Sequence, residues 1–418
     1  MKILVTMDWQ GEQQRVGELE VFSNRGHDVY QFLYDDQWVA SGFQIDPVLA
    51  LSSNEIFTSK TLPGVFQDIS PDRWGRLIQK RARRGYMSDV DYLLGVSDWM
   101  RMGAIRLSLA DNPEAFVAEH TNIPKLINLR DLEAASRRVE QGQETSGDVQ
   151  QLLGPGSSLG GARPKAVVQD GDQLYLAKFQ SNLDVERIGA WEATMLDLAF
   201  LSGIPASVHR LLNKDSERPI LLLSRFDRIG SERIPFASAM TLANAQDGDE
   251  FSYAALSEVI SCYSSQPKHD KFDLWKRMVF NAMTGNTDDH LRNHAFLRMP
   301  QGWRLSPAYD LTPNDAPFEQ RTHALFFLDD AHPSLEACRE LGQEYFDLKE
   351  SEVQMGFALV GAALATWRDA ARMNGLTDNE INRMENAFEH EAKDELVHLA
   401  ALKGIKAKPF LAQKPRGR

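Results

Sequence analysis

Residues 285–296 read GNTDDHLRNHAF, which places two aspartates, two histidines and two asparagines within twelve positions. Short polar side chains gathered at one point either cap turns and helices or hold hard cations and reacting hydroxyls. The continuation favours the second. HAFLRM, the turn Pro300-Gln301-Gly302 and then WRLSPAYDL read as a β-hairpin that returns Asp310 to the polar loop.

Asp288 and Asn293 stand five positions apart. That is the D-x-x-x-x-N spacing of protein-kinase catalytic loops, where the aspartate orients or deprotonates the substrate hydroxyl and the asparagine holds Mg²⁺. A kinase sets its second metal-binding aspartate after such a hairpin. Here that place is taken by Asp310, flanked by Tyr309 and Leu311 instead of Phe and Gly. Mg²⁺ draws only one or two carboxylates from a protein, so Asp310 and Asn293 suffice as ligands. Two other readings stay open on these residues: Asp288, Asp289 and Asn293 as caps, or His290 and His294 with the aspartates as transition-metal ligands for hydrolysis. His290 is expected to line the nucleotide site and brace the loop by hydrogen bonding.

A nucleotide site needs a phosphate cradle, and GPGSSLGGARPKA at 154–166 is the Gly-rich candidate. It is not a Walker A loop, because Ala162 stands where that motif needs Lys. Nor is it a strict G-x-G-x-x-G, since after Gly154 and Gly156 the third Gly falls one residue late, at 160. Order along the chain separates it from a plain flexible loop: Gly-rich loop, hairpin, Lys178 in YLAKF, a helix carrying Glu192, a strand ending in SRFD, then Asp288, Asn293 and Asp310. This is the linear order of a kinase's two lobes. Ser158, Gly160, Gly161 and Ala162 are then the loop residues at the nucleotide, and Lys178 pairs its phosphates. Leu223, Ser224, Arg225 and Phe226 form the segment whose backbone reads adenine. Glu192 is the candidate ion-pair partner of Lys178, with Glu186 nearby as its competitor.

The chain has 418 residues, 43% hydrophobic and 25% charged, which calls for two or three domains and excludes the disordered and membrane classes. MGFALVGAALATW at 355–367 is too short and glycine-interrupted to span a bilayer and reads as a core helix. MKILVTM opens a strand and lacks the apolar length and cleavage site of a signal peptide. Cys262 and Cys338 are far apart and form no CxxC, which points to a reducing cytoplasm. A net charge of −13 argues against a general nucleic-acid-binding surface. RLIQKRARR at 76–84 and the tail from Lys403 are local basic exceptions, read first as a solvated helix face and a frayed end.

The first hundred residues are β-rich, in runs such as MKILVTM, GELEVFS and VYQFLY. A helix follows that Ser70 is expected to cap, with Pro71 at its first position. Residues 110–150 read as a linker or irregular helical connection. PKAVVQDG and DQLYLAKFQ form a hairpin at Asp170-Gly171-Asp172, and helices dominate from Leu256. Ser351 with Gln354 and Thr377 with Glu380 make capping-box patterns. The expected fold is α+β: a two-lobed, protein-kinase-like fold with a small β-rich amino-terminal subdomain and a mainly helical carboxy-terminal lobe. Its divisions fall at 1–110, 111–230, 231–402 and a basic flexible tail 403–418.

SSLGGARPK at 157–165, the Asp288-to-Asn293 loop, SPAYDL ending at Asp310 and DISPDRWGR in the amino-terminal part together resemble the HipA-like toxin kinases of bacterial toxin–antitoxin systems. The likeness covers most of the chain and departs from the commoner loop in having Arg163-Pro164 before Lys165. It implies a cytoplasmic Ser/Thr protein kinase using ATP and Mg²⁺, with Asp288 as catalytic base, Asn293 and Asp310 on metal, Lys178 on phosphates and Ser158 autophosphorylated. It further implies growth inhibition through a translation component such as an aminoacyl-tRNA synthetase. A small helix-turn-helix antitoxin is the implied partner, with DNA reached only through it and no membrane involved. A small-molecule phosphotransferase on the same fold, or a nucleotide-binding partner of a repressor, are the other readings.

Overall fold

The structure is a computed structural model that describes residues 1–24, 27–83, 85–118, 123–153, 161–246, 248–323, 325 and 332–407. The chain forms two compact units, each discontinuous in sequence. One contains 1–182, 224–246 and 296–300; the other contains 183–223, 247–295 and 301–418. A linear division at 110, 230 and 402 does not express that interleaving.

The first unit is built on a six-stranded antiparallel sheet. Its strands are β1 (Lys2–Trp9), β2 (Glu12–Asn24), β3 (His27–Tyr34), β4 (Phe57–Ser59), β5 (Ile105–Leu109) and β6 (Asn112–Phe116), in the order β4-β3-β2-β1-β5-β6. β1 and β2 meet at Gln10-Gly11, whose φ values of 53° and 83° match the right-handed twist of a two-residue hairpin. Ile3, Val5, Met7, Val16, Leu19 and Phe32 are buried in the sheet, and Phe66 of the helix Gly64–Asp68 packs against Phe32. Residues 110–150, expected as a linker or irregular helical connection, are β6 followed by helices Leu129–Gln141 and Ser146–Leu153. Leu129, Leu132, Ala135 and Val139 recur at helical spacing and are buried, which is the periodicity the polar residues between them obscure.

The helix after the Pro/Gly loop runs Arg73–Ala82 and is capped by Asp72, not Ser70. The Ser70 hydroxyl donates to Phe66 O at 2.8 Å, which turns it back onto the preceding helical turn. On the basic face, Arg76 pairs with Asp89 at 2.9 Å and Arg81 with Glu144 at 2.5 Å. The hairpin predicted at Asp170-Gly171-Asp172 is β7 (Lys165–Asp170) with β8 (Gln173–Lys178), in continuous register from Asp170↔Gln173 to Lys165↔Lys178.

The second unit is mainly helical; in it β9 (His209–Leu212) pairs antiparallel with β10 (Ile220–Ser224), whose last residue, Ser224, belongs to the first unit. Its centre is the helix Pro267–Thr284, buried along nearly its whole length. Trp275 is fully buried there, and its Nε1 donates to Cys338 O at 2.7 Å. A Cβ at Gly356 would stand 2.3 Å from Trp275 Cζ3, so glycine is what lets the helix Glu350–Leu364 close over the indole. That helix is the core element expected at 355–367, although it ends at Leu364 and Trp367 opens the next one. At its start Glu352 Oε2 accepts from Lys349 N at 2.9 Å, two residues before the expected Ser351/Gln354 pair. The Thr377/Glu380 box is present. Among the described residues, no helix is long and apolar enough to cross a membrane.

Candidate active site

The helix Pro267–Thr284 stops at Gly285, whose φ of +67° places it in the left-handed region, and a Cβ there would meet Asn314 O at 2.6 Å. The polar loop begins at this stop. Asn286 N donates to Asn281 O at 3.0 Å, and its side-chain amide reaches Asn281 Oδ1 at 3.2 Å. The two adjacent aspartates then part company. Asp289 is buried and accepts from Asn281 Nδ2 at 2.9 Å, from the Tyr253 hydroxyl, and from His294 Nε2 at 2.9 Å. Burial pushes its carboxyl up, but the charge and hydrogen bond of His294, with those of Tyr253 and Asn281, outweigh this and hold it below the ordinary carboxylate range.

Asp288 is exposed. Its carbonyl accepts from Asn293 Nδ2 at 2.7 Å, which closes the loop on itself, and a short 3-10 turn at Leu291–Asn293 completes the closure. Asn293 Oδ1 is buried and finds no hydrogen-bond partner. The ring of His290 is exposed, and the hydrogen-bonded brace of the loop is supplied by His294 and Asp289.

Asp310 is half-buried and has a φ of +57°, a conformation a non-glycine residue adopts only when its surroundings impose it. The neighbours impose it from both sides. Ala308 bridges Ala206, with Ser207 N to Ala308 O at 2.9 Å and Ala308 N to Pro205 O at 2.7 Å. The Tyr309 hydroxyl donates to Arg292 O at 2.6 Å, inside the polar loop. The buried Arg277 guanidinium donates to Ser306 O, and Asn314 Nδ2 reaches Thr287 Oγ1 at 3.0 Å.

These donors fit Mg²⁺. Asn293 spends its amide N–H on the loop and keeps a buried lone-pair oxygen that only a proton donor or a cation can satisfy. Asp310 adds a hard carboxylate oxygen, within the one or two that Mg²⁺ takes from a protein. The hydrolytic alternative needs several His, Cys, Asp or Glu donors around one point, and Asp289 and His294 are bonded to each other. Among the described residues, no group of three or more His, Cys, Asp or Glu side chains is placed to hold a metal.

The nucleotide-binding candidates of the first unit stand as follows. Ser158 and Gly160 lie outside the described residues. Gly161, with φ +107°, and Ala162 lead into β7, and Lys178 ends β8, half-buried. Arg225 is scaffold on two counts. Its N–H donates to Leu174 O at 3.0 Å, and its guanidinium binds Asp227 through two 2.6 Å bonds while also reaching Met100 O and Arg101 O. Burial would raise the Asp227 carboxyl, but the charges of Arg225 and Arg228 win and bring it down to about 2. Arg225 therefore fixes the SRFD segment, and its N–H is not free to read a base. Ser224 and Phe226 flank it in the same unit; Phe226 stacks on Phe236 with ring centres 6.5 Å apart. Leu223 and Glu192 belong to the second unit, Leu223 paired with His209 and Glu192 buried in the helix Ile188–Leu201. The brace at Asp289 was beyond sequence reasoning, since Tyr253 and Asn281 lie 36 and 8 residues away with no spacing to announce them.

A β-rich unit and a helical unit bearing a D-x-x-x-x-N loop and an aspartate five residues beyond the strand Gly302–Leu305 define a kinase-like fold. The chain belongs to the HipA family: the HipA-like C-terminal domain matches residues 157–388 and the HipA N-terminal domain residues 9–108. HipA of Shewanella oneidensis MR-1, solved with HipB and operator DNA, shares the fold, with a TM-score of 0.68 and 16% identity over 96% of this chain and 98% of that one. A putative kinase, Y4dM, of Sinorhizobium fredii is 32% identical over 127 residues, which span 29% of this chain and 29% of the relative.

Proposed function

We propose that the protein is a HipA-type toxin: an ATP- and Mg²⁺-dependent Ser/Thr protein kinase of the cytoplasm. The observation that carries this reading is the division of labour in one loop. Asp289 is buried and fully engaged, while its neighbour Asp288 is exposed and Asn293 Oδ1 is buried without a partner. A loop serving only as a cap has no use for that last atom.

In this reading Asp288 orients the acceptor hydroxyl and takes its proton as the oxygen bonds to the γ-phosphorus and the bond from that phosphorus to the bridging oxygen of ADP breaks. Bound Mg²⁺ supplies charge neutralisation at the phosphates and would be held by Asn293 and Asp310. Lys178 pairs the phosphates, Gly161 and Ala162 approach them through the backbone, and Ser224 and Phe226 stand at the base. Ser158 is the proposed autophosphorylation site. A phosphoryl group there adds about −1.5 to −2 charges to the loop that contacts phosphates, which opposes nucleotide binding. The acceptor is a translation component such as an aminoacyl-tRNA synthetase. A small helix-turn-helix antitoxin restrains the kinase and brings it to operator DNA.

The test is incubation of the wild-type chain and its Asp288→Asn variant with γ-labelled ATP and cell lysate, followed by identification of the labelled molecules. Label on a few proteins and on Ser158, lost in the variant, is the expected result. Label only on small molecules makes the protein a phosphotransferase of that class. No label anywhere reduces it to a nucleotide-binding partner.

A further inference from the structure

Asp72 does two jobs at once. Its Oδ1 accepts from Gly75 N at 2.8 Å, capping the helix Arg73–Ala82, and its Oδ2 accepts from Lys165 Nζ at 2.7 Å. The Lys165 side chain is only 2% exposed, and its ammonium also donates to Gly161 O at 3.3 Å, at the exit of the Gly-rich loop. Two residues past Asp72, the indole of Trp74 donates to Lys165 O at 3.0 Å. The segment around residue 72 thus grips both the side chain and the backbone of residue 165, some 90 positions later in the chain.

What residue 165 faces gives the grip its meaning. Lys165 is paired with Lys178 across the β7–β8 ladder, and Phe179 N donates to Pro164 O at 2.9 Å to close that end. Directly opposite residues of an antiparallel pair project from the same face, and like charges so placed repel. The Asp72 carboxylate cancels the charge of Lys165 beside Lys178. A well-packed apolar pair would stabilise the sheet as well as a buried ion pair does, so stability alone does not account for the charges.

We infer that Asp72, Trp74 and Lys165 form a positioning clamp that fixes Lys178 and the exit of the Gly-rich loop for nucleotide. The inference rests on the kinase reading for its purpose, not for its geometry. The Lys165 ammonium is spent on Asp72 and Gly161 and acts through its neighbours.

The test compares wild type with Asp72→Asn, Lys165→Met and the double variant. Asparagine still accepts from Gly75 N, so the helix cap survives. Three quantities are measured: melting temperature, calorimetric affinity for Mg²⁺-ATP, and hydrogen exchange of the Phe179 amide. Each single variant is expected to lose nucleotide affinity by about tenfold or more, as misplaced binding groups do, and to exchange the Phe179 amide faster. The double variant leaves no uncompensated buried charge and regains melting temperature without regaining affinity. Affinity that recovers together with melting temperature, or single variants that bind as wild type does, overturn the clamp. If wild type itself binds no nucleotide, the kinase reading fails, and exchange alone decides: faster exchange in the single variants keeps the clamp, unchanged exchange removes it.

Discussion

His294 Nε2 lies 2.9 Å from Asp289 Oδ1, in a pocket that leaves both side chains almost without solvent exposure. Of two consecutive aspartates, the second is therefore the anchor of the loop and the first is the one presented outward.

That asymmetry predicts opposite phenotypes. Asp289→Asn removes the partner of a buried, hydrogen-bonded His294 and is expected to cost about 3 kcal/mol of stability. Asp288→Asn touches an exposed side chain and is expected to leave the unfolding midpoint unchanged while lowering turnover about 10²–10⁴-fold, with nucleotide affinity retained. Chemical denaturation alongside ATP turnover separates the two. A stable, active Asp288→Asn beside a stable, inactive Asp289→Asn would mean the register has been misread.

At Asp310, stability and function should move in opposite directions. Its φ of +57° costs an ordinary residue roughly 1 kcal/mol that glycine does not pay. Asp310→Gly is expected to raise the melting temperature and Asp310→Asn to leave it nearly unchanged. Both should remove most Mg²⁺-dependent ATP binding in calorimetry, and wild-type affinity in either would sink the metal assignment.

Two buried groups, one in each unit, should answer pH with opposite signs. In the first, burial pushes the Asp68 carboxyl up to about 6 against hydrogen bonds from Ser238 and Thr241. A raised carboxyl favours the folded state when protonated, so its contribution is full below about pH 4 and is lost as pH rises through about 6. In the second, burial pulls His390 down to about 4, where the ring donates to Met283 O at 2.9 Å and stacks on Phe318 with centres 4.3 Å apart. A depressed histidine stabilises above its ordinary value near 6.5 and loses that contribution as pH falls through about 4. Unfolding measured from pH 4 to 8 should show Asp68→Asn flattening one limb and His390→Gln the other; identical profiles in all three proteins would contradict both assignments.

Gly356→Ala forces a methyl carbon to within 2.3 Å of Trp275 Cζ3 unless the helix withdraws. Overpacking of that kind costs about 1–3 kcal/mol. The denaturant midpoint should fall accordingly, and the same substitution at Gly171, where a Cβ meets nothing within 4 Å, sets the baseline for backbone strain at its φ of +59°.

What the sequence made visible divides along a physical line. Strands β1, β2 and β3 follow from alternation, and the β7–β8 hairpin from Asp170-Gly171, because both signals are local. The order of glycines, Lys178, Asp288, Asn293 and Asp310 is likewise read directly off the chain, and the roles given to those residues are the proposal made above. Caps were misplaced where several polar residues compete: Asp72, not Ser70, accepts from Gly75 N, and Glu352 accepts from Lys349 N two residues before the expected Ser351 cap. Partners chosen by packing left no trace at all. Nothing in the spacing ties Tyr253 to Asp289, Asp72 to Lys165 or Arg225 to the carbonyls of Met100 and Arg101.

The amino-terminal unit borrows residues 224–246 from far down the chain, and Asp68 accepts from Ser238 and Thr241. During synthesis that borrowing becomes a waiting time. The 170 residues between Asp68 and Ser238 take roughly 10–30 seconds to translate at about 5–20 residues per second. Through that interval the nascent unit lacks the strand Phe236–Ser238, which lies outside the six-stranded sheet, and the Gly103 amide awaits Asp227. A chain released at Asn182 carries all six strands of the sheet and is expected, in thermal melts, to unfold well below the full-length protein. The unit at the start of the gene is thus finished late, by residues encoded past its midpoint.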